Sequence, residues 1–482
     1  MAATSVKKIG PAMLALVTMS SIAGLHGMPT LAEYGLSLVF FLVVAGLLFF
    51  VPTALVVAEL ATSWPKEGGV YVWVREAFGA RWGFAAVWLQ WLSGVIWFPT
   101  ALSFAAATLA FGVGDDDLAN NKLFVVTVVL IFFWAATLGN FRGMKASGWI
   151  SSVGVTIGTL LPGALIIVLG ISWIIFGRES QISFEAGDLF PDITTAGNLT
   201  FLIAVLFSYA GMELSSSHAT DVENPGRNYP RAILLATVLI FSVYTLAALA
   251  IAIVIPRQEI SLVAGVMEAF EAFLKAYDIG WLVWLIALLL VAGAIGQVNA
   301  LILAPARGLL VASEDGEIPP YFRRENRAGI PTSILITQAL IVTGLSVVFV
   351  LMPSVNSSYW ILTALTAQVY LVMYILMFAA AIKLRYAQPD VTRPYRIPGG
   401  APGIWIVAGA GIFAATVATL VGFYPPSQVS TGNEAFFIGF LVIGMVLTVA
   451  APLIIHRFRK PQWSLAEVTG PQPEPTMAAE GE

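Results

Sequence analysis

Two short stretches hold most of the side chains that could do chemistry. One reads Ser20-Ser21-Ile22-Ala23-Gly24-Leu25-His26-Gly27-Met28-Pro29. The other reads Ser208-Tyr209-Ala210-Gly211-Met212-Glu213-Leu214-Ser215-Ser216-Ser217-His218. Each sets hydroxyls, small residues and titratable groups inside an apolar run. Glycine is about 1 kcal/mol worse than alanine in a helix, and Pro29 lacks a backbone donor. Both runs are therefore expected to be helices broken partway. A break frees N–H groups at the start of one half-helix and carbonyls at the end of the other. Free N–H groups suit a carboxylate and free carbonyls an ammonium, so a zwitterion such as an amino acid matches both. Close helix packing is the competing explanation for either stretch alone. Their matching positions in the chain favour a binding site.

Single residues add to this. Glu213 is the one acidic residue placed deep in a span, and a carboxylate at mid-bilayer normally faces a cavity or a partner. It reads as a substrate contact or a protonatable gate, against a protonated glutamate bonded to a neighbouring helix. His26 is weighed evenly between site and packing roles. Gln297 and Asn299 in the eighth span, and Tyr370 and Tyr374 one turn apart in the tenth, are weaker candidates. Solvated or snorkelling roles suffice for Glu59, Arg307, His218 and His456 near span ends. The candidate substrate-binding set is Ser20, Ser21, Ala23, Gly24, His26, Ser208, Tyr209, Ala210, Gly211, Glu213, Gln297, Tyr370 and Tyr374.

The elements that must position these residues are membrane helices. Of 482 residues, 58% are hydrophobic and 11% charged, where a soluble chain carries roughly a quarter charged. The apolar blocks reach the about 20 residues a bilayer-crossing helix needs, and no barrel-like alternation is present. Twelve spans are expected, near 11–31, 36–60, 84–112, 123–142, 152–176, 198–220, 231–255, 280–306, 332–351, 359–382, 404–423 and 435–456. The first is read as a retained span, because no small-residue cleavage pattern closes it. With a cytoplasmic N-terminus, 20 of the 24 basic residues fall inside, leaving Lys122, Arg178, Arg257 and Lys275 outside. Both termini are thus expected in the cytoplasm. The loops add a short amphipathic helix at 64–83, a helix-like basic centre at 311–331, and a disordered tail at 461–482.

Spans one to five (11–176) and six to ten (198–384) form two groups of five, the second inverted by the odd number of crossings. Each group opens on a broken helix, the pattern of an inverted-repeat transporter with a midplane site. Residues 1–10 form a cytoplasmic lead and 404–456 two further spans. The eighth span from Trp281 to Ala306 has no Ser or Thr for a sodium site. The fifth, Ser152 to Phe176, has no lysine, and no GxxxxGK[ST] loop occurs. Exchange or proton coupling remains. With no cysteine and three scattered histidines, a membrane-embedded enzyme is not expected.

At these residues the chain resembles the amino acid–polyamine–organocation superfamily, most closely its bacterial glutamate/GABA antiporter branch. The likeness is carried by FSYAGMELSSSHATDVENPGRNYPRA (207–232), GLSLVFF (35–41), EGGVYVWV (67–74), RWGFAA (81–86), IPRQEISLVAGVMEAF (255–270), APARG (304–308) and RPYRIPGG (393–400). It implies a leucine-transporter-type fold and exchange of an amino acid for its decarboxylated or related amine. It matches Glu213 to a family glutamate in span six, sets Tyr370 and Tyr374 near the substrate, and puts Phe207 at an aromatic gate. The chain departs from the branch at Gln297, where a glutamate is usual, and at His26-Gly27-Met28. It also lacks a long histidine-bearing C-terminal plug.

The expectation is an all-α, twelve-helix integral membrane protein that exchanges an amino acid or amine, with proton-coupled symport as the alternative. Its partners are a small amino acid or amine and the lipid bilayer. No cofactor, metal or nucleic acid is expected, and monomer or homodimer is left open. The expected location is the bacterial inner membrane.

Overall fold

Side-chain caps open three of the described helices, each with a polar residue just before its first turn. In the computed structural model Asn121 accepts from the N–H groups of Leu123 and Phe124, both at 3.1 Å, and opens a helix at Lys122. Ser354 caps Ser357 at 3.0 Å and Asn433 caps Phe436 at 3.1 Å in the same way. The structure describes residues 10–22, 24–66, 68–142, 153–191, 196–214, 216, 222, 224–427 and 429–464.

The first expected span is two helices, α1 (Pro11–Ile22) and α2 (Met28–Ala32), with Gly24 extended between them. Next come α3 (Gly35–Ser63), a short amphipathic α4 (Val70–Phe78), α5 (Ala80–Val113), α6 (Lys122–Asn140) and α7 (Val153–Ile175). The sixth expected span is again broken: α8 (Leu202–Ser208) gives way to a turn at Tyr209 to Gly211 and a 3-10 turn at 212–214. Then follow α9 (Pro225–Val254), α10 (Gly265–Ala276), α11 (Val283–Glu314), α12 (Thr332–Leu351), α13 (Val355–Ala387), α14 (Gly400–Val421) and α15 (Glu434–Arg457). Ten of these are long and apolar enough to cross a membrane. The two expected spans outside that set are the two broken ones.

Burial orders the bundle. In its most apolar window α5 is 89% buried and α13 72%, against 17% for α15, so the first two are central and the last is peripheral. Helices α7 and α11 meet along a glycine seam. A Cβ on Gly158 would stand 2.2 Å from the Gly293 nitrogen, and one on Gly154 would stand 2.9 Å from Gly296 Cα. Only glycine permits this backbone approach, which brings dispersion contacts that lipid cannot offer. In α3 and α7, π-helical turns at Gly46–Phe50 and Thr156–Leu160 precede Pro52 and Pro162. The wider turn accommodates the missing N–H and the ring.

Glu59, near the end of α3, is not the solvated residue expected. It is 4% exposed, accepts from Arg385 Nε at 2.9 Å and from the Ile397 N–H at 2.8 Å, and lies 3.4 Å from Arg393. This ties the end of α3 to the end of α13 and the loop beyond. His456 likewise pairs with buried Glu317 at 2.6 Å, beside Arg459 at 2.9 Å. Helix α4 matches the expected amphipathic helix and docks through Tyr71 and Arg75 onto Asp315. The helical centre expected at 311–331 is instead the end of α11 followed by one 3-10 turn, Pro320–Arg323. Helix α10, whose apolar face packs inward, was not anticipated. His218, residues 1–9 and the tail from 465 lie outside the described residues.

Candidate functional site

Gly24 and Gly211 bring the two breaks to one place. Gly24 is extended (φ −129°, ψ 136°), and a Cβ there would stand 2.7 Å from His26 Nδ1 and 2.9 Å from Gln297 Oε1. Gly211 has φ +108°, a conformation that L side chains avoid, and its added Cβ would meet Ile22 Cγ1 at 3.3 Å. The first glycine is required by space and the second by backbone angle. Between them lies a cavity of about 110 Å³. Since one water needs roughly 10–15 Å³ of such volume, the space suits a molecule of several non-hydrogen atoms.

Five helices complete the wall. Helix α5 contributes Gln90, Ser93, Trp97 and Thr100, and α13 contributes Tyr359, Thr363, Thr366 and Tyr370. Both sets recur at three- and four-residue spacing and so form single helical faces. Phe207 and Ser208 come from α8, Tyr244 from α9 and Gln297 from α11. Phe207 and Tyr370 set their rings edge to face at 6.3 Å.

The breaks are not bare. Tyr244 donates to the Ile22 carbonyl at 2.9 Å, and Tyr359 donates to the His26 carbonyl at 2.9 Å. The Gly211 N–H donates to the Tyr374 hydroxyl at 2.7 Å. The expectation of unpaired peptide groups is thus corrected for these two carbonyls and this N–H, because burial demands partners. The tyrosines prop the helices open.

Glu213 lies just behind the wall, 2% exposed. Gln90 donates to it at 3.0 Å, and the hydroxyls of Tyr370 and Tyr374 also donate to it. Three donors on two oxygens suit a carboxylate acting only as acceptor. Glu213 and Tyr374 therefore shape the cavity through Gln90, Tyr370 and Gly211 rather than by lining it.

Of the expected set, Gly24, His26, Ser208, Ala210, Gly211, Gln297 and Tyr370 line the cavity, as does Phe207. The Ser208 hydroxyl is turned back onto the Val205 carbonyl at 2.7 Å. Tyr209 points elsewhere, stacked on Phe50 at 4.3 Å and bonded to the Leu42 carbonyl at 3.2 Å. Asn299 pairs with Asn140 at 2.6 Å. Ala23 and the side chains of Ser20 and Ser21 lie outside what the structure describes. Sequence reasoning missed the α5 and α13 faces, Tyr370 apart. Their signal was readable as polar residues at helical spacing in otherwise apolar spans.

A family model for amino acid permeases matches residues 9–463. This chain belongs to the amino acid permease family. The permease is 45% identical to an uncharacterised transporter of Legionella pneumophila, over 92% of this chain and 95% of that one. It is 31% identical to a glutamate/gamma-aminobutyrate antiporter of Lactococcus lactis, over 93% and 90%. It is 26% identical to a probable agmatine/putrescine antiporter of the same species, over 88% and 90%. It is a multi-pass membrane transporter, not an enzyme.

Proposed function

We propose that this permease is an antiporter that exchanges an amino acid for a related amino acid or amine, with the cavity between the two breaks as its substrate site. One observation carries the reading: Gly24 of the first break and Gly211 of the second bound the same space. In this reading, peptide N–H groups at the breaks other than that of Gly211 meet a carboxylate, and carbonyls other than those of Ile22 and His26 meet an ammonium. The antiporters among its relatives support exchange over net uptake. Helices within 11–176 and 198–384 act as the two inverted repeats, and Phe207 with Tyr370 as the aromatic gate. The distribution of basic residues supports both termini in the cytoplasm of a bacterial cell, with the permease in its inner membrane.

Labelled amino acid should enter proteoliposomes preloaded with unlabelled amino acids faster than empty ones. Equal entry into both contradicts exchange. A second reading, proton-coupled symport, draws on the buried Glu213 carboxylate and its tyrosine contacts. It requires that a pH gradient alone drive uptake and that Glu213→Gln abolish it.

A further inference from the structure

The cavity is mostly apolar, with a few polar groups and no fixed charge on its described lining. Among its described lining residues none is Asp, Glu, Lys or Arg. The nearby Glu213 carboxylate already accepts from three donors and faces them, not the cavity. One wall does present polar atoms with no partner. The Trp97 indole, which can only donate, points at His26 Nε2 from 3.1 Å. Nε2 must therefore be the acceptor, which puts the ring proton on Nδ1. Neither His26 Nδ1 nor the Gln297 amide has a hydrogen-bond partner among the described residues, although Gln297 is only 5% exposed. Both lie within 2.9 Å of the point where a Gly24 Cβ would stand. Gly24 thus leaves a neutral donor and an amide side by side, open to the cavity.

Those features discriminate among substrates. The second ammonium of a diamine, or the side-chain carboxylate of an acidic amino acid, would be desolvated with no counter-charge on the cavity lining itself, the nearby Glu213 carboxylate being already engaged by three donors. The two charges of a zwitterion cancel overall, and in the antiport reading they meet peptide groups at the breaks other than the capped Ile22 and His26 carbonyls and the Gly211 N–H. A hydroxyl or carboxamide on its side chain would satisfy His26 and Gln297, while an apolar side chain would leave them unpaired. Resting on the antiport reading above, we infer that the permease carries net-neutral amino acids with short hydroxyl or carboxamide side chains, and that His26 and Gln297 read that side chain.

The test uses the full chain in proteoliposomes preloaded with an equimolar mixture of serine, glutamine, alanine, glutamate and putrescine, each offered outside in turn as label. Serine or glutamine should exchange about tenfold faster than glutamate or putrescine. Gln297→Leu should raise the KM for serine and glutamine about tenfold relative to the KM for alanine. Gln297→Glu, of the same shape, should shift the serine-to-putrescine rate ratio toward putrescine by supplying the missing counter-charge. Preferred exchange of glutamate or putrescine by the native chain overturns the substrate class and leaves antiport standing. An unchanged ratio in Gln297→Glu also overturns it. Absence of exchange with all five compounds overturns the antiport reading and this inference with it.

Discussion

At Gly24 a single hydrogen stands where any other residue would set a carbon against His26 and Gln297. Overfilling so tight a point costs about 1–3 kcal/mol, and here the strain falls on two side chains of the cavity wall. Gly24→Ala is expected to lower exchange by about tenfold or more while the protein still inserts and purifies. Native exchange rates in that variant would contradict the geometry. Tyr374 illustrates a residue that works at one remove. Its hydroxyl joins the Gly211 N–H to Glu213, and Tyr374→Phe leaves that buried N–H unpaired, costing about 1–3 kcal/mol. A denaturation midpoint in detergent equal to the native one would show that the link is idle. The sequence pointed to His26, Gln297 and Tyr370 because titratable and amide groups stand out in apolar spans. Trp97, Thr100, Thr363 and Thr366 pass unnoticed there. Indole and hydroxyl groups are ordinary in membrane helices, where a backbone carbonyl can satisfy a hydroxyl.

Among elements, both breaks were legible and their consequences partly so. Glycine and proline mark where a helix stops, but they do not say which tyrosine arrives to cap the exposed carbonyl. Tyr244 and Tyr359 come from helices more than 200 residues along the chain from α1. The Glu59 cluster was misjudged for a similar reason, since a charge at a span end reads as solvated until a partner from another helix covers it. Glu59→Gln leaves Arg385 and Arg393 without a counter-charge and should destabilise by about 3–5 kcal/mol. Adding Arg385→Met should recover part of that loss in a thermal-unfolding assay. A single variant as stable as the native chain would contradict the tie.

Two buried carboxyls are expected to make stability depend on pH. Glu33, at the end of α2, lies 3.7 Å from Arg257, and burial outweighs that cation and pushes its carboxyl up to about 7. Burial likewise pushes Glu268 of α10 up to about 7, reinforced by Glu271, Asp116 and Glu259 and opposed by the Ser261 N–H. Below the ordinary carboxyl range both groups are protonated in folded and unfolded chains alike. From there to about pH 7 the folded chain holds the extra protons, so their contribution to stability falls as pH rises. The native thermal midpoint should therefore drop relative to Glu33→Gln/Glu268→Gln between about pH 5 and 7. A relative rise would reverse the sign and refute it.

On the scale of the whole molecule, the all-helical membrane arrangement followed from hydropathy, because lipid leaves helices as the main backbone solution. The glycine seam between α7 and α11 was invisible until the two helices were placed together, since a GxxxG spacing names no partner. The cavity itself is a property of the assembly, built by two breaks and four further helices. Amide hydrogen exchange on the purified permease, with and without a saturating transported amino acid, tests that arrangement most directly. Protection should rise at residues 24–28 and at 209–213 together, with little change in the peripheral α14 and α15. Protection confined to other segments, or to one break alone, would contradict a substrate held between the two.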